Sequence, residues 1–315
     1  MLVAKETQAL LQAVLNPAVF RPDGIREAIE LVDEILVPPQ PGLAYPWPCL
    51  DRLTHGQRPA EMVTWTAGTG IGKSQVLREV VYHLHQTHGL PVGVIALEES
   101  ARHSAQAQLS LDLGVPLHIP ERRADVSDEE IRGAAERVLT GMYLYDHFGS
   151  VEATSILPKI RYMVKAFGVK FVVLDHLSIM VSGYATDGDE RKRIDEIVTR
   201  LRSLVQELDI GVHLVSHLRK ASGTPYEEGG QISLVDLRGS GAIAQVSDLV
   251  IGLERNQQSE VERHVTTVRV LKNRFSGETG TAGWLRFETA SGRMVECEKP
   301  SGDDAVTFSP MEGEV

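Results

Sequence analysis

Cysteine is almost missing from this chain, with Cys49 and Cys297 the only two among 315 residues. They have no metal-ligand spacing and form no disulfide framework, which fits a cytosolic, reducing compartment. Long hydrophobic runs are missing too. No apolar stretch approaches the roughly 18 residues that cross a bilayer. The opening MLVAKETQALLQAVL lacks the basic n-region and cleavage pattern of a secretion signal. Basic charge is in short supply: 32 Lys and Arg stand against 43 Asp and Glu, for a net charge of −11. That balance argues against a protein coated in nucleic acid, while leaving room for a few basic loops on one face. Internal repeats are absent. What remains is an ordinary globular composition, 42% hydrophobic and 24% charged, long enough for one substantial core.

Against this plain background stands AGTGIGKS, residues 67–74, directly after the apolar run Met62-Val63-Thr64-Trp65. A strand feeding a glycine-rich turn that ends in Gly-Lys-Ser is the design of a triphosphate cradle. Gly68, Gly70 and Gly72 permit backbone torsions and close approaches that a side chain would block. The N–H groups of the loop and of the following helix then face the phosphates. Lys73 reaches the β- and γ-phosphates, and the Ser74 hydroxyl helps hold Mg²⁺. One departure from the usual pattern is Ala67 in the first glycine position.

Along the chain, residues 1–20 read as a short helix broken at Asn16-Pro17, and GIREAIELVDEIL (24–36) as a second helix, apolar on one face. PPQPG (38–42) separates that helix from the rest as a semi-rigid spacer. Its stripe is buried either locally or on a neighbour. From about 50 to 290, strands alternate with helices. The strands are predicted at 62–66, 92–97, 142–145, 171–175 and 211–216, and the helices at 73–88, 100–112, 127–138, 151–166 and 188–207. Near-continuous apolar strands such as Phe171-Val172-Val173-Leu174 suit a parallel sheet buried on both faces. Shorter strands follow at 249–253, 265–271 and 283–287. The acidic end, 301–315, reads as a disordered tail. The expected division is 1–49 as N-terminal linker and helix, 50–297 as the catalytic domain and 298–315 as tail.

Ligands of parallel α/β sheets sit at the carboxyl ends of strands, so four strand ends matter. The first delivers the cradle. VGVIALEES (92–100) delivers Glu98-Glu99, and Glu98 is the predicted base that orients and deprotonates the attacking water. FVVLDH (171–176) delivers Asp175, the predicted partner of Mg²⁺. GVHLVSH (211–217) delivers His217, predicted to donate a hydrogen bond that senses the γ-phosphate. His83, His85 and His88 match no tight zinc spacing and read as surface residues.

After His217 come polar, glycine-bearing loops with Arg219, Lys220 and Arg238. Such loops track a sugar-phosphate backbone without reading sequence. Their start two residues beyond the candidate sensor favours that role over a merely solvated loop. In VRVLKNRFSGETG (268–280), Lys272 and Arg274 occupy alternate strand positions on one face. They read either as a solvated basic strand end or as cations donated across a subunit boundary to a neighbour's γ-phosphate.

AGTGIGKS, ALEES, VVLDHLSIMVS, the D-E-R-K run at 189–192, LVSHLRK, DLRGSGAIAQVSD, LERNQQ and LKNRFSGETGTAG occur in that order. Together they resemble the helicase half of phage helicase–primases, with the Twinkle and DnaB helicases as more distant relatives. The likeness covers about 24–290. It implies an α/β fold: a RecA-like P-loop NTPase core with a mainly parallel central sheet flanked by helices, plus an N-terminal helix that docks on the adjacent subunit. It also implies a ring, usually a hexamer, that threads single-stranded DNA and moves 5′ to 3′ by hydrolysing ATP or a dNTP, dTTP included, with Mg²⁺. For the site, it implies Lys73 and Ser74 at phosphates and metal, Glu98 as base, Asp175 as metal-linked acid and His217 as sensor. Arg274 is then the finger acting in trans, with Arg255 a second arginine supplied at the same interface. Phe287 matches the aromatic that stacks on the base. Arg219, Lys220, Arg238 and Gly239 match the DNA-facing loop, and Gln245 the residue coupling that loop to the nucleotide.

Departures from the family pattern qualify this picture. No zinc module or primase domain precedes residue 24, so primer synthesis is expected to be absent from this chain. Ala244 stands where close relatives carry arginine, and the loop after Lys220 is less basic, which implies weaker DNA binding. The acidic tail resembles a polymerase-docking tail, with a DNA polymerase or primase as its expected partner, but it ends in Val315 rather than an aromatic. The expected location is the cytoplasm of a bacterial host. Two other readings compete: a RecA-like filament or clamp that uses nucleotide only to hold DNA, and a ring ATPase that acts on protein.

Overall fold

The computed structural model describes residues 26–147, 153–176, 187–221, 223–238 and 241–300. The helix expected over 1–20, Gly239 and the tail at 301–315 lie outside the described residues. The chain divides into two compact units, 1–41 and 42–315.

In the first unit, a 3₁₀ turn (Ala28–Leu31) leads into a single α turn, α1 (Val32–Ile35). This is less than the continuous helix expected over 24–36. Its apolar side chains are uncovered: Ile29 is 71% exposed, and Ile35 and Leu36 are each 72% exposed. So short a helix is marginal without an apolar partner, which accounts for the missing turns.

The second unit begins earlier than the boundary expected at residue 50. Tyr45, Trp47 and Cys49 are buried in its core, and Trp47 Nε1 donates to the Met294 carbonyl at 2.7 Å. Residues 42–49 therefore belong to the core and not to a linker. They lead into α2 (Pro48–Thr54), which starts on proline at its first position and stops where His55 turns left-handed (φ 54°).

One nine-stranded sheet runs through the unit. Its strands are β1 (Met62–Ala67), β2 (Val92–Ala96), β3 (Met142–Leu144), β4 (Phe171–Asp175), β5 (Gly211–His217), β6 (Leu249–Glu254), β7 (Val265–Asn273), β8 (Gly280–Glu288) and β9 (Arg293–Cys297). The spatial order is β3-β2-β4-β5-β1-β6-β7-β8-β9. Neighbours from β3 through β6 pair parallel, and β6 through β9 pair antiparallel. The parallel strands are buried on both faces, as a sheet covered by helices requires.

Register gives this sheet two distinct edges. Ala67 pairs with His217 and Ala96 with Asp175, so β1, β5, β4 and β2 end together. Because β7 runs against β6, Asn273 pairs with Leu249, at the opposite edge. Strand β8 runs back again, which returns Phe287 to the first edge, where its N–H donates to the His264 carbonyl at 3.1 Å.

The helices are α3 (Lys73–Gln86), α4 (Ala101–Leu113), α5 (Pro120–Ala124), α6 (Asp128–Val138), α7 (Ala153–Phe167), α8 (Asp187–Leu208) and α9 (Ala242–Val246). Ser100 caps α4, and Ser127 with Glu130 forms a capping box on α6, so both start where short polar residues satisfy the first N–H groups. Residues of α3 join one apolar cluster (Val76, Val80, Leu84), while α7 and α8 join another (Ile160, Val198, Leu201). Among the described residues, no helix is long and apolar enough to cross a membrane.

Glu79 is buried on α3, where it accepts from Met294 N at 2.5 Å and Gln75 Nε2 at 3.2 Å. Burial pushes its carboxyl up to about 7. An acid raised in the folded state holds its proton there after the unfolded chain has released it, so its contribution is full below the ordinary value of 4.5. That contribution is lost as pH climbs through about 7. Urea unfolding of wild type and Glu79→Gln across this window should show the variant gaining relative stability with rising pH, by up to about 3 kcal/mol. Parallel curves would contradict this.

Candidate active site

The four strand ends predicted to share a site do share one edge of the sheet. The cradle between β1 and α3 holds Gly70 at φ 71° and Gly72 at φ 105°, conformations that side chains resist. Gly68 is required for a different reason. A Cβ there would come within 2.8 Å of Tyr226 Cβ and 2.9 Å of Ile71 Cδ1. Lys73 Nζ donates to the Ala67 and Gly68 carbonyls, each at 3.0 Å, which folds its ammonium over the loop. Burial pulls its pKa down, opposed by the carboxylates of Asp175, Glu98 and Glu227.

Ser74 Oγ donates to Asp175 Oδ2 at 3.2 Å. A hydroxyl and a carboxylate side by side are oxygen donors suited to a hard divalent cation, so this pair fits Mg²⁺. Burial raises the Asp175 carboxyl, and the nearby Glu98 charge adds to this, while His176 and the Ser74 hydrogen bond oppose it. Of the two adjacent glutamates, Glu99 is taken: Arg78 Nη2 and Ser104 Oγ donate to its oxygens at 2.5 and 2.6 Å. Glu98 is the one left facing the site, its side chain half exposed, with His176 Nε2 donating to Oε1 at 2.5 Å.

His176 sits between the candidate base and the candidate sensor. It is 4% exposed, and its ring meets His217 edge-on at 3.9 Å between centroids. Ligand atoms of Glu98, His176 and His217 all lie within 4.8 Å of one another. Burial, His176 and Lys73 push His217 down to about 4, so at neutral pH it is an uncharged imidazole with one donor and one acceptor. His213, four residues back toward the strand interior, shows the opposite case. It is wholly buried between Trp65 Nε1 (3.0 Å) and Gln57 Oε1 (2.8 Å), with a purely structural role.

The two arginines expected from a neighbouring subunit lie far apart. Arg255 follows β6 at the cradle edge, and its Nη2 donates to the Gly70 carbonyl of its own chain at 2.5 Å. Its Nε is buried without a hydrogen-bond partner, a spare donor beside the cradle. Within the chain, Arg255 thus meets the loop of its own cradle. Arg274 lies at the other edge, about 20 Å away along the six residues of β6. There its Nη1 pairs with Asp248 Oδ1 at 3.1 Å and its Nη2 donates to the Gln245 carbonyl at 3.0 Å, with the side chain 54% exposed.

Lys272 also departs from expectation, because this subunit does use it. Its Nζ donates to the carbonyls of Ala244 (2.7 Å), Gln245 (3.0 Å) and Ser247 (2.7 Å), closing the carboxyl end of α9.

Phe287 lines a cleft with Gln75, Arg78 and His103, and Gln75 Nε2 donates to the Gly292 carbonyl at 2.7 Å. That places an aromatic ring beside the helix leaving the cradle. Arg219, Lys220 and Arg238 lie at or near the surface. Arg238 N donates to the His217 carbonyl at 2.8 Å and Arg219 N to the Asp236 carbonyl at 2.7 Å, so the loop is fastened to the sensor strand. Gln245 lies on α9, with its carbonyl on Arg274. Sequence reasoning missed His176 and Glu227. His176 stood in plain view after Asp175, whereas Glu227 meets the cradle from 158 residues away.

Residues 42–295 match the model of the DnaB-like helicase C terminal domain. The DNA helicase/primase of Enterobacteria phage T3 is 35% identical over 309 residues, which cover 95% of this chain and 54% of that protein. One solved ATPase domain superposes with a TM-score of 0.70 at 22% identity, covering 86% of this chain and 97% of that one. A DnaB-like replicative helicase, solved in a study of its interactions with primase, also gives 0.70 at 22% identity, covering 92% and 71%. The fold is thus that of RecA-like helicase domains, and the chain spans about half the length of the curated relatives it matches. By its sequence over 42–295, the chain belongs to the DnaB-like helicase C-terminal domain family.

Proposed function

We propose that this chain is the motor of a ring-forming replicative DNA helicase that hydrolyses ATP or a dNTP at subunit interfaces. It would move 5′ to 3′ on single-stranded DNA. The observation that carries this reading is the separation of Arg274 from its own cradle across the sheet, with its guanidinium half exposed at the far edge. A cation so placed completes a phosphate site only in a second copy, and head-to-tail repetition of such an interface gives a ring where the rotation closes and a filament where it does not. A hexamer is the expected ring.

Within each site, the cradle N–H groups and Lys73 would hold the phosphates, Ser74 and Asp175 would hold Mg²⁺, and Phe287 would stack on the base. When bound, Mg²⁺ supplies charge neutralisation at the phosphate oxygens. Glu98 takes the proton of the attacking water, with His176 fixing its carboxylate. His217, neutral and at the cradle edge, donates to the γ-phosphate. Arg255 steadies the Gly70 peptide in cis. The neighbour's Arg274 supplies the trans cation.

The output runs through residues 218–247. This segment is tied to His217 through Arg238 N–H and to Arg274 through the Gln245 carbonyl. It thus spans from its own site to the residue that serves the next one. Arg219, Lys220, Arg238 and Gly239 would engage the DNA backbone, and Gln245 would couple that engagement to hydrolysis. Replacing Arg219 and Lys220 with alanine should weaken binding to a dT oligonucleotide regardless of sequence and lower the salt slope by about 0.7 for each phosphate no longer neutralised. An unchanged slope would remove both residues from the DNA path. The acidic segment from residue 298 is the proposed docking point for a DNA polymerase or primase, on its charge.

Strand displacement on a forked duplex tests the whole reading. NTP-dependent unwinding with hydrolysis stimulated by single-stranded DNA is the expected result. Open filaments without unwinding would favour the clamp, and hydrolysis indifferent to DNA would favour an ATPase acting on protein.

A further inference from the structure

The cradle is gripped by a carboxylate from the segment between the sensor strand and α9. Thr69 N–H donates to Glu227 Oε1 at 3.0 Å. Tyr226, 7% exposed, presses its Cβ against Gly68, and Glu227 Oε1 lies 3.2 Å from where a Gly68 Cβ would stand. On the other side, Gln257 N–H donates to the Glu227 carbonyl at 2.9 Å, and Glu228 bridges to Asn256. Residues 226–228 and 255–257 therefore embrace the loop from 68 to 70 together, with Arg255 on the Gly70 carbonyl.

A carboxylate on a cradle N–H stands in for the anion that such a loop is built to take. A bound triphosphate brings negative charge to the same loop, and like charges a few ångströms apart repel. The same segment carries the cations of the DNA path. Arg219 and Arg238 stand at the two ends of the strip that Glu227 anchors, with Arg219 N–H on the Asp236 carbonyl and Arg238 N–H on the His217 carbonyl.

We propose that Glu227 is the residue that links filling of the cradle to the DNA-facing loop. Its carboxylate holds Thr69 N–H, and an arriving triphosphate displaces it by charge, releasing the strip at 223–237 that joins Arg219 to Arg238. This inference rests on the nucleotide- and DNA-binding reading above. It goes further by assigning the coupling to one acid that meets the phosphate loop directly. By linkage, the factor by which nucleotide alters DNA affinity equals the factor by which DNA alters nucleotide affinity, and Glu227 sets part of both.

The test uses the full chain with a fluorescent non-hydrolysable nucleotide, and separately a dT oligonucleotide with and without that nucleotide, in wild type, Glu227→Gln and Glu227→Ala. Glutamine keeps the shape and an acceptor for Thr69 N–H but removes the charge. The expected result is nucleotide binding roughly threefold to tenfold tighter in both variants, since in neither must an anion be displaced. The nucleotide-dependent change in DNA affinity should fall at the same time. A merely structural Glu227 would leave the glutamine variant like wild type and weaken binding in the alanine variant, and that pattern would overturn the proposal. Failure of the wild type itself to bind nucleotide or DNA would instead remove the functional reading, and the proposed link with it.

Discussion

Arg274→Ala should bind nucleotide and assemble as wild type does, yet hydrolyse about 10³-fold more slowly or worse, the scale on which arginine fingers act. The fold tolerates the change because Asp248 keeps other partners. Arg202 Nη1 remains at 2.9 Å from Oδ2, and Met62 N–H donates to the same oxygen at 2.9 Å. The ion pair that disappears is half exposed on the arginine side, a setting in which such pairs contribute little. A defect in hydrolysis alone is therefore chemical. Complementation then distinguishes cis from trans. Glu98→Ala subunits lack the base but still offer Arg274, whereas Arg274→Ala subunits keep the base. Mixing two inactive variants should restore activity at up to about one interface in four by random assortment around the ring. Normal hydrolysis by Arg274→Ala alone would refute the finger assignment, and failure of the mixture to recover would refute donation in trans.

Lys73→Ala should fail at more steps than Arg274→Ala, because it removes the cation folded into the cradle itself. The ammonium donates to two loop carbonyls, those of Ala67 and Gly68. Its field is shared with Asp175, Glu98 and Glu227, so its loss leaves three carboxylates around a loop meant for anions. Loss of one preorganised donor to a developing charge reduces turnover by about 10²–10³-fold, and weaker nucleotide binding compounds this. Nucleotide binding, hydrolysis and unwinding should all fail together, with the thermal transition nearly unchanged because Lys73 is not part of an apolar cluster. Unwinding at the wild-type level by this variant would end the helicase reading.

The parallel half of the fold was legible because its strands are short apolar blocks ended by glycine or acid. FVVLD and GVHLVSH begin where predicted, and the long amphipathic run at 188–207 is one helix, Asp187–Leu208. Strand β9 was not legible, since Arg293–Cys297 mixes charged and apolar residues over only five positions. Helix α2 hid in PWPCLDRLT, whose two prolines fell inside the linker expected up to residue 49 although one of them starts the helix. The site divides the same way. Glu98, Asp175 and His217 were readable because each closes a strand, and strand ends converge in a parallel sheet. The separation of Arg255 from Arg274 was not legible, because sequence spacing does not say which edge of an antiparallel ribbon a residue reaches. The pairing of Leu249 with Asn273 does say so, and it puts them at opposite edges. His176 on Glu98 and Glu227 on Thr69 depend on partners 78 and 158 residues apart, for which no local pattern exists.

Each nucleotide site is proposed to be completed by the next copy of the chain. A structure of the assembled protein with a non-hydrolysable nucleotide, Mg²⁺ and single-stranded DNA tests it directly. The expected result is a closed ring in which the Arg274 guanidinium has left Asp248 and donates to the γ-phosphate held by the neighbour's cradle. Arg255 should remain on the cradle of its own chain. A site complete within one chain, with Arg274 still on its own Asp248 and no second copy at the phosphates, would contradict it.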